Sequence, residues 1–137
     1  MSFSEKIALH QKWLKKMQGF SAQSIEKEFV SEALLKNVNI SSIVFSETRI
    51  YKSKIFYTDL EGSQFYTSSF EGCNFYDCSF YNCDLDTIKF IDCNFKNCNF
   101  GKADFNECQF INCKFINSNL SWIFAMDSNF QKKVVSQ

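Results

Sequence analysis

A narrow all-β solenoid is the fold this sequence predicts, and three observations predict it. A large apolar residue recurs every fifth position, and a small residue recurs two places before each of them. The composition agrees, with 17 Phe and 7 Cys in 137 residues beside only 4 Gly and no Pro. Neither a helix (period 3.6) nor a strand (period 2) keeps a five-residue period on one face.

The large residues, here called centres, run from Ile40 and Phe45 through Ile50, Ile55, Leu60, Phe65 and Phe70 to Phe115, Leu120 and Phe130. Of the 19 positions in that phase only Ala125 is not Phe, Leu or Ile, and twelve of the 17 Phe are centres. Two residues earlier stand Ser53, Thr58, Ser63 and Ser68, then Cys73, Cys78, Cys83, Ile88, Cys93, Cys98, Ala103, Cys108, Cys113 and Ser118. The remaining positions are mainly Asn, Asp, Lys, Glu, Tyr and Gly. Each five-residue side therefore offers one large and one small side chain to a thin core.

In Cys93-Asn94-Phe95, Cys98-Asn99-Phe100, Ala103-Asp104-Phe105 and Ser118-Asn119-Leu120 the run resembles the pentapeptide-repeat family. That motif is a small residue, then Asp or Asn, then Leu or Phe, then two variable residues. The resemblance covers residues 36–130; the departures are Cys for the family's usual Ala, and Lys89, Gln109 and Lys114 for Asp or Asn. It implies a right-handed quadrilateral β-helix in which four pentapeptides make one coil and residues twenty apart stack. About five coils at an inter-strand spacing of ~4.8 Å would make a rod of roughly 23 Å. Such a stack leaves open edges only at its ends, so the ends need caps.

Residues 1–35 are read as an N-terminal helical cap with a degenerate first coil around Ile25, Val30 and Leu35. Residues 36–130 are read as the repeat and 131–137 as a tail. Ser4 is the expected N-cap of a helix over about residues 5–18, with Glu5 at its positive end and Gly19 as its stop. Trp13, Leu14 and Met17, with Ile7, are the expected cap contacts, and His10-Gln11-Lys12-Trp13-Leu14 resembles the His-x-x-Trp-Leu helix that often precedes such arrays. At the other end Trp122, Phe124 and Met126 put bulk where the repeat wants small or polar residues. They read as an end cap, as the seam of a homodimer of the kind several family members form through their C-terminal coils, or as both.

The chain offers no catalytic constellation. It has one His, no GxSxG, no P-loop, no HExxH and no Gly-rich phosphate turn, so neither an enzyme nor a cofactor is expected. The cysteines are spaced CxxxxC rather than CxxC, which reads as reduced, buried packing residues and not as a zinc site or a disulfide framework. No apolar run approaches the ~18 residues of a membrane span. With Glu5, Lys6 and His10 breaking any signal-peptide core, a cytoplasmic chain is expected, and export by a signal-less bacterial pathway stays open.

Function is thus expected on the surface. The position after each centre stacks Tyr51, Glu71, Ile91, Ile111 on one wall and Phe56, Tyr76, Lys96, Ile116 on the next. Tyr76, Ile91, Ile111 and Ile116 are the candidate interaction surface, with Tyr66 and Tyr81 extending it. Fifteen basic residues balance fifteen acidic ones, which argues against nucleic acid as a partner. The family's best-known activity is binding type II topoisomerases by imitating duplex DNA, and that needs a strongly acidic rod. Residues 36–130 carry 11 acids against 8 bases, so the leading expectation is a non-catalytic protein-binding module, of bacterial effector or immunity type. Topoisomerase binding and a structural, self-assembling element are the alternatives.

Overall fold

The computed structural model describes residues 1–120 and the backbone of two further strands, 129–131 and 135–136. It is a parallel β-solenoid of about five coils preceded by one helix. Every parallel pair among residues 1–131 links residues twenty apart, so four five-residue units make one coil and the coil has four walls; only the pairing of Lys114–Ile116 with Val135–Ser136 is offset, by twenty-one.

Wall 1 contains β1 (Ser24–Glu26), β4 (Val44–Ser46) and β7 (Gln64–Tyr66), then continues as single bridges through Asp84 and Asp104. Wall 2 is six-stranded: β2 (Phe29–Ser31), β5 (Arg49–Tyr51), β8 (Ser69–Glu71), β10 (Lys89–Ile91), β12 (Gln109–Ile111) and β14 (Asn129–Gln131). Wall 3 is also six-stranded: β3 (Leu34–Lys36), β6 (Lys54–Phe56), β9 (Asn74–Tyr76), β11 (Asn94–Lys96), β13 (Lys114–Ile116) and β15 (Val135–Ser136). Wall 4 has bridges only, running Asn39, Asp59, Ser79, Asn99, Asn119. What separates bridge from strand is the bond made by the residue before each centre, since Asn74 and Asn94 also hold that position in β9 and β11 but bond each other. On wall 4, and late on wall 1, that residue is Asn, Asp or Ser, and its side-chain oxygen accepts from the backbone N–H two places on, as Asp84 does from Asp86 and Asn99 from Gly101. That Asx-type turn tightens the side and shortens its strand.

The corner sits two residues after each centre, and there the backbone is left-handed. All nineteen such positions from Lys27 to Asn117 have φ between 47° and 72°, and only Gly62 and Gly72 among them are glycine. The strain is repaid by a main-chain bond between coils. At most corners the N–H donates to the carbonyl one residue after a centre in the next coil, as in Tyr57 to Tyr76 (2.8 Å) and Asp77 to Lys96 (2.9 Å), while Thr67 N–H donates to the Thr87 hydroxyl (3.0 Å).

The centres fill the interior. Phe75, Phe95 and Phe115 stack with centroids 4.9 Å apart and planes 7–8° off parallel, and Phe80 stacks on Phe100 at 4.8 Å. Within a coil, neighbouring centres meet edge to face, as Phe90 meets Phe95 at 5.1 Å. Offset-stacked and T-shaped contacts are the two arrangements a phenyl quadrupole favours, and rings such as Phe75, Phe90 and Phe95 have both. Where Leu85 replaces Phe in this lattice, Ile88 replaces the usual small residue three places on, and both are fully buried. The two exchanges offset each other in volume.

The small position does more than save space. Its Ser, Thr or Cys donates to the carbonyl of a centre twenty-three residues earlier: Thr48 to Ile25 (3.1 Å), Cys78 to Ile55 (3.0 Å), Cys83 to Leu60 (2.9 Å), Cys93 to Phe70 (3.2 Å). Cysteine therefore stands in for serine as a weak donor as well as a small apolar group.

The N-terminal helix differs from the sequence expectation. The helix, α1, spans Phe3–Leu14 and its N-cap is Ser2, not Ser4, with the Ser2 Oγ accepting from the Glu5 N–H. It ends before Gly19 in a Schellman turn, in which Lys16 (φ 58°) takes the left-handed position and Met17 N–H bonds Lys12 C=O. Met17 consequently lies beyond the helix, 46% exposed, and is not a cap contact; Trp13 and Leu14 are half-buried and Ile7 is buried. The strongest docking contact is His10, fully buried, whose Nδ1 accepts from Gln23 N–H (3.0 Å) while Nε2 donates to Ser41 C=O (2.8 Å). Lys6 adds an ion pair to Glu28 at 2.7 Å.

Two outcomes test this account. Thr67 holds a β-branched side chain at a corner, φ 50°, so Thr67→Gly should stabilise the protein by about 1 kcal/mol in urea titration. A loss of stability would sink the corner-strain argument. Replacing the buried His10 by Ala leaves the part-buried Gln23 N–H and Ser41 C=O without it and should cost about 1–3 kcal/mol in the same measurement.

Candidate protein-binding surface

With centres and small positions inside, the residues before and after each centre and the side chains at the corners make the surface. The register places the predicted residues as two columns. Tyr51, Glu71, Ile91 and Ile111 are successive on wall 2, and Phe56, Tyr76, Lys96 and Ile116 on wall 3. Ile91 and Ile111 are thus direct neighbours, whereas Tyr76 and Ile116 are separated by Lys96. The four do not form one flat patch, because a corner divides the pairs. All four are half-buried rather than fully exposed, since each lies against the residue above and below it in its column. Tyr66 and Tyr81 do not extend this surface; they lie on walls 1 and 4. Trp122, Phe124 and Met126 fall outside the described residues.

Wall 3 carries the more developed relief. Phe56 meets Tyr76 edge-on at 6.2 Å, Tyr57 meets it at 5.6 Å, and the Lys96 ammonium lies 5.1 Å above the Tyr76 ring. Beside them Asn94 Nδ2 donates to Asn74 Oδ1 at 2.9 Å. Between the two columns runs an open groove of about 390 Å³, lined by Phe56, Tyr76 and Ile116 on one side and Asn74, Asn94 and Lys114 on the other.

Exposed apolar residues that the periodicity does not point to lie at the N-terminal coil. Phe29 is 63% and Leu34 61% exposed, each in the position normally given to a polar residue. Their signal in the sequence was a large apolar residue one place out of phase, beside Val30 and Leu35. Phe29 is covered in part by the Arg49 guanidinium at 5.9 Å, and Arg49 is itself paired to Glu71 at 2.7 Å.

Charge is sorted by wall. Among the described residues wall 1 carries Glu26, Glu47, Asp84, Asp86, Asp104 and Glu107 against Lys27, and the opposite wall 3 carries Lys36, Lys54, Lys96 and Lys114 against Asp77. On wall 1 partial burial and the nearby Asp84, Glu107 and Asp104 raise the Asp86 carboxyl above its ordinary value, and its Oδ1 finds no hydrogen-bond partner among the described residues. The balanced total charge is a sum over walls of opposite sign.

The cysteine thiols are split by their neighbours: hydrogen bonds with Cys93 hold Cys73 and Cys113 below the ordinary value, and one with Cys98 does the same for Cys78. All seven are buried and free of disulfides, and no group of His, Cys, Asp and Glu among the described residues could hold a metal ion. Burial pushes the Cys83 thiol from an ordinary 9.0 up to about 12, and Cys93 and Cys108 well above the usual range, so these remain thiols at neutral pH. No described helix is long and apolar enough to cross a membrane.

The folded chain keeps the Cys83 proton between about pH 9 and 12, where the unfolded chain has lost it, so stability falls as pH rises through that window. The slope from this one group is at most about 1.4 kcal/mol per pH unit. Cys83→Ser should flatten the alkaline limb of the urea midpoint plotted against pH. An identical limb in the variant would rule that coupling out.

Set beside known proteins, the sequence matches the family described as pentapeptide repeats, with eight copies over residues 56–86 and 93–131, just over half of the chain. No curated protein sequence matches it. Among solved structures, trypsin-treated QnrB1, a plasmid-mediated fluoroquinolone resistance protein, superposes with a TM-score of 0.60 at 15% identity, over 75% of this chain and 60% of that one. HetL, a pentapeptide repeat protein involved in heterocyst differentiation regulation from the cyanobacterium Nostoc sp., gives 0.45 at 11% identity, over 83% of this chain and 53% of that one. A pentapeptide repeat protein from the Arabidopsis thaliana thylakoid lumen gives 0.46 at 6% identity, over 61% and 65%. The likeness to QnrB1 is one of fold, and the chain spans 60% of the length of that protein.

Proposed function

The chain belongs to the pentapeptide-repeat family, and from that premise we propose that it is a non-catalytic binding module that presents a rigid solenoid wall to a protein partner. The observation that carries this reading is the freedom of the outward positions. Main chain, corners and core are satisfied without them, yet they hold Ile91 and Ile111 on wall 2 and Tyr76 and Ile116 on wall 3. Half-buried aliphatic and aromatic residues on a rigid scaffold cost little conformational entropy to dock, which suits a protein interface. An effector or immunity role would use such a wall in the same way.

Topoisomerase binding by DNA mimicry is the second reading. The acidic wall 1 and the resemblance of fold to a fluoroquinolone resistance protein favour it. A duplex, however, presents negative charge all round, and the four lysines of wall 3 oppose that. We therefore rank it second, ahead of a self-assembling structural role.

A photoreactive amino acid placed at position 111, with a control at position 47 on wall 1, tests the main reading in cells of the source organism. One discrete protein adduct is expected from position 111 and none from 47, and Ile91→Asp should lower its yield at least tenfold while leaving the melting temperature within a few degrees. Equal adducts from both positions, or protection of gyrase from a quinolone at stoichiometric protein, would overturn the ranking.

A further inference from the structure

Wall 3 has a charge problem that the molecule does not solve internally. Ion pairs among the described residues join Lys6 to Glu28 and Arg49 to Glu71, both reaching wall 2, and none involves Lys36, Lys54, Lys96 or Lys114. All four lysines are exposed and share their wall with a single acid, Asp77. Like charges spaced along a rod repel one another, so this arrangement gains nothing for folding. The acids that would neutralise it stand on the opposite wall, across the phenylalanine core.

The lysines are also placed with a period. Lys54 and Lys114 lie in the column before the centres, on coils two and five, and Lys36 and Lys96 in the column after them, on coils one and four. Lys96 and Lys114 line the groove with Phe56, Tyr76 and Asn94, and Lys54 and Lys36 continue the same two columns on the coils nearer the N-terminus. From coil one to coil five the axial distance is four rungs, roughly 19 Å at ~4.8 Å per rung. An extended peptide at ~3.3 Å per residue covers that length with about six residues.

We propose that this groove is the docking site, and that its occupant is an extended acidic segment of the partner protein, six or more residues long, lying along the rod axis. Its carboxylates meet the alternating lysines, its apolar stems lie on Phe56 and Tyr76, and the Asn74–Asn94 amides bond its main chain. The proposal deepens the protein-binding reading above and rests on it. Charge complementarity selects the acidic segment over a basic one, and the apolar, amide-lined floor selects a peptide over a uniformly charged polyanion.

A fluorescein-labelled peptide of eight glutamates provides the probe, read by anisotropy at low and at physiological salt. Binding that weakens with salt is expected, with at least a tenfold loss in the triple variant Lys54→Gln, Lys96→Gln, Lys114→Gln and less than a twofold change in Lys102→Gln on wall 4. Circular dichroism checks the fold; should the triple variant fail to fold, Lys54→Gln and Lys114→Gln singly should each weaken binding two- to threefold. No change in either, or equal binding of eight lysines, overturns the proposal. Tighter binding of a duplex oligonucleotide of equal charge would make the wall a nucleic-acid surface instead. A mass by light scattering that rises at low salt in wild type but not in the triple variant would make the occupant a second copy. If the acidic peptide does not bind but a protein adduct still forms through the Ile91–Ile111 column, this proposal fails while the binding-module reading stands.

Discussion

The main-chain hydrogen bond that most left-handed corners make to the coil above is the constraint on which the remainder of this molecule rests. It fixes the coil repeat at twenty residues, because only a chain turning at every fifth residue brings each corner N–H under the same carbonyl. The spacing of those bonds then sets the spacing of everything else. Phenyl rings stack at 4.8–5.5 Å because the backbone carries them there, close to the contact distance such rings prefer. The small position donates to a centre carbonyl for the same reason, since twenty-three residues back is one rung down and one side earlier. Seventeen non-glycine residues accept an unfavourable φ at these corners, and the cost is spread evenly over the rod.

A thin core of this kind also explains the cysteines. A solenoid has no deep interior in which a thiol could be tuned by a histidine or a metal; it has a single file of positions, each needing a small residue that offers a weak donor to a carbonyl. Cysteine, serine and threonine meet that need interchangeably, which is why Ser53, Thr58 and Ser63 give way to Cys73, Cys78 and Cys83 one coil later. The abundance that first suggests redox or metal chemistry is a packing preference.

The fold was legible in the sequence almost completely, because a period of five is a direct record of the coil, and the walls follow from it by stacking in twenties. What escaped was whatever depends on direction rather than position. The choice of Ser2 over Ser4 as N-cap turns on which hydroxyl faces Glu5 N–H, and both residues suit the role by type. His10 was legible as part of a His-x-x-Trp-Leu resemblance, and only the fold reveals two backbone partners for its two nitrogens. The placement of the outward residues was half legible. The columns were correct, but a column does not say where the corner falls, so residues on two walls were joined and Tyr66 and Tyr81 were added from the other two. Charge was the reverse case: a total near zero concealed a separation that a sum over every fourth unit would have revealed.

That separation has a bearing on how such a chain can change length. Loss or gain of one five-residue unit would leave core, corners and hydrogen bonds intact, since every unit is folded alike. It would also swing all later units a quarter turn, carrying the downstream lysines of wall 3 onto a neighbouring side and the acids of wall 1 with them. Stability would be blind to the slip and recognition would not. A solenoid with sorted walls therefore has a reading frame of twenty residues imposed by its surface, although its interior asks only for a frame of five.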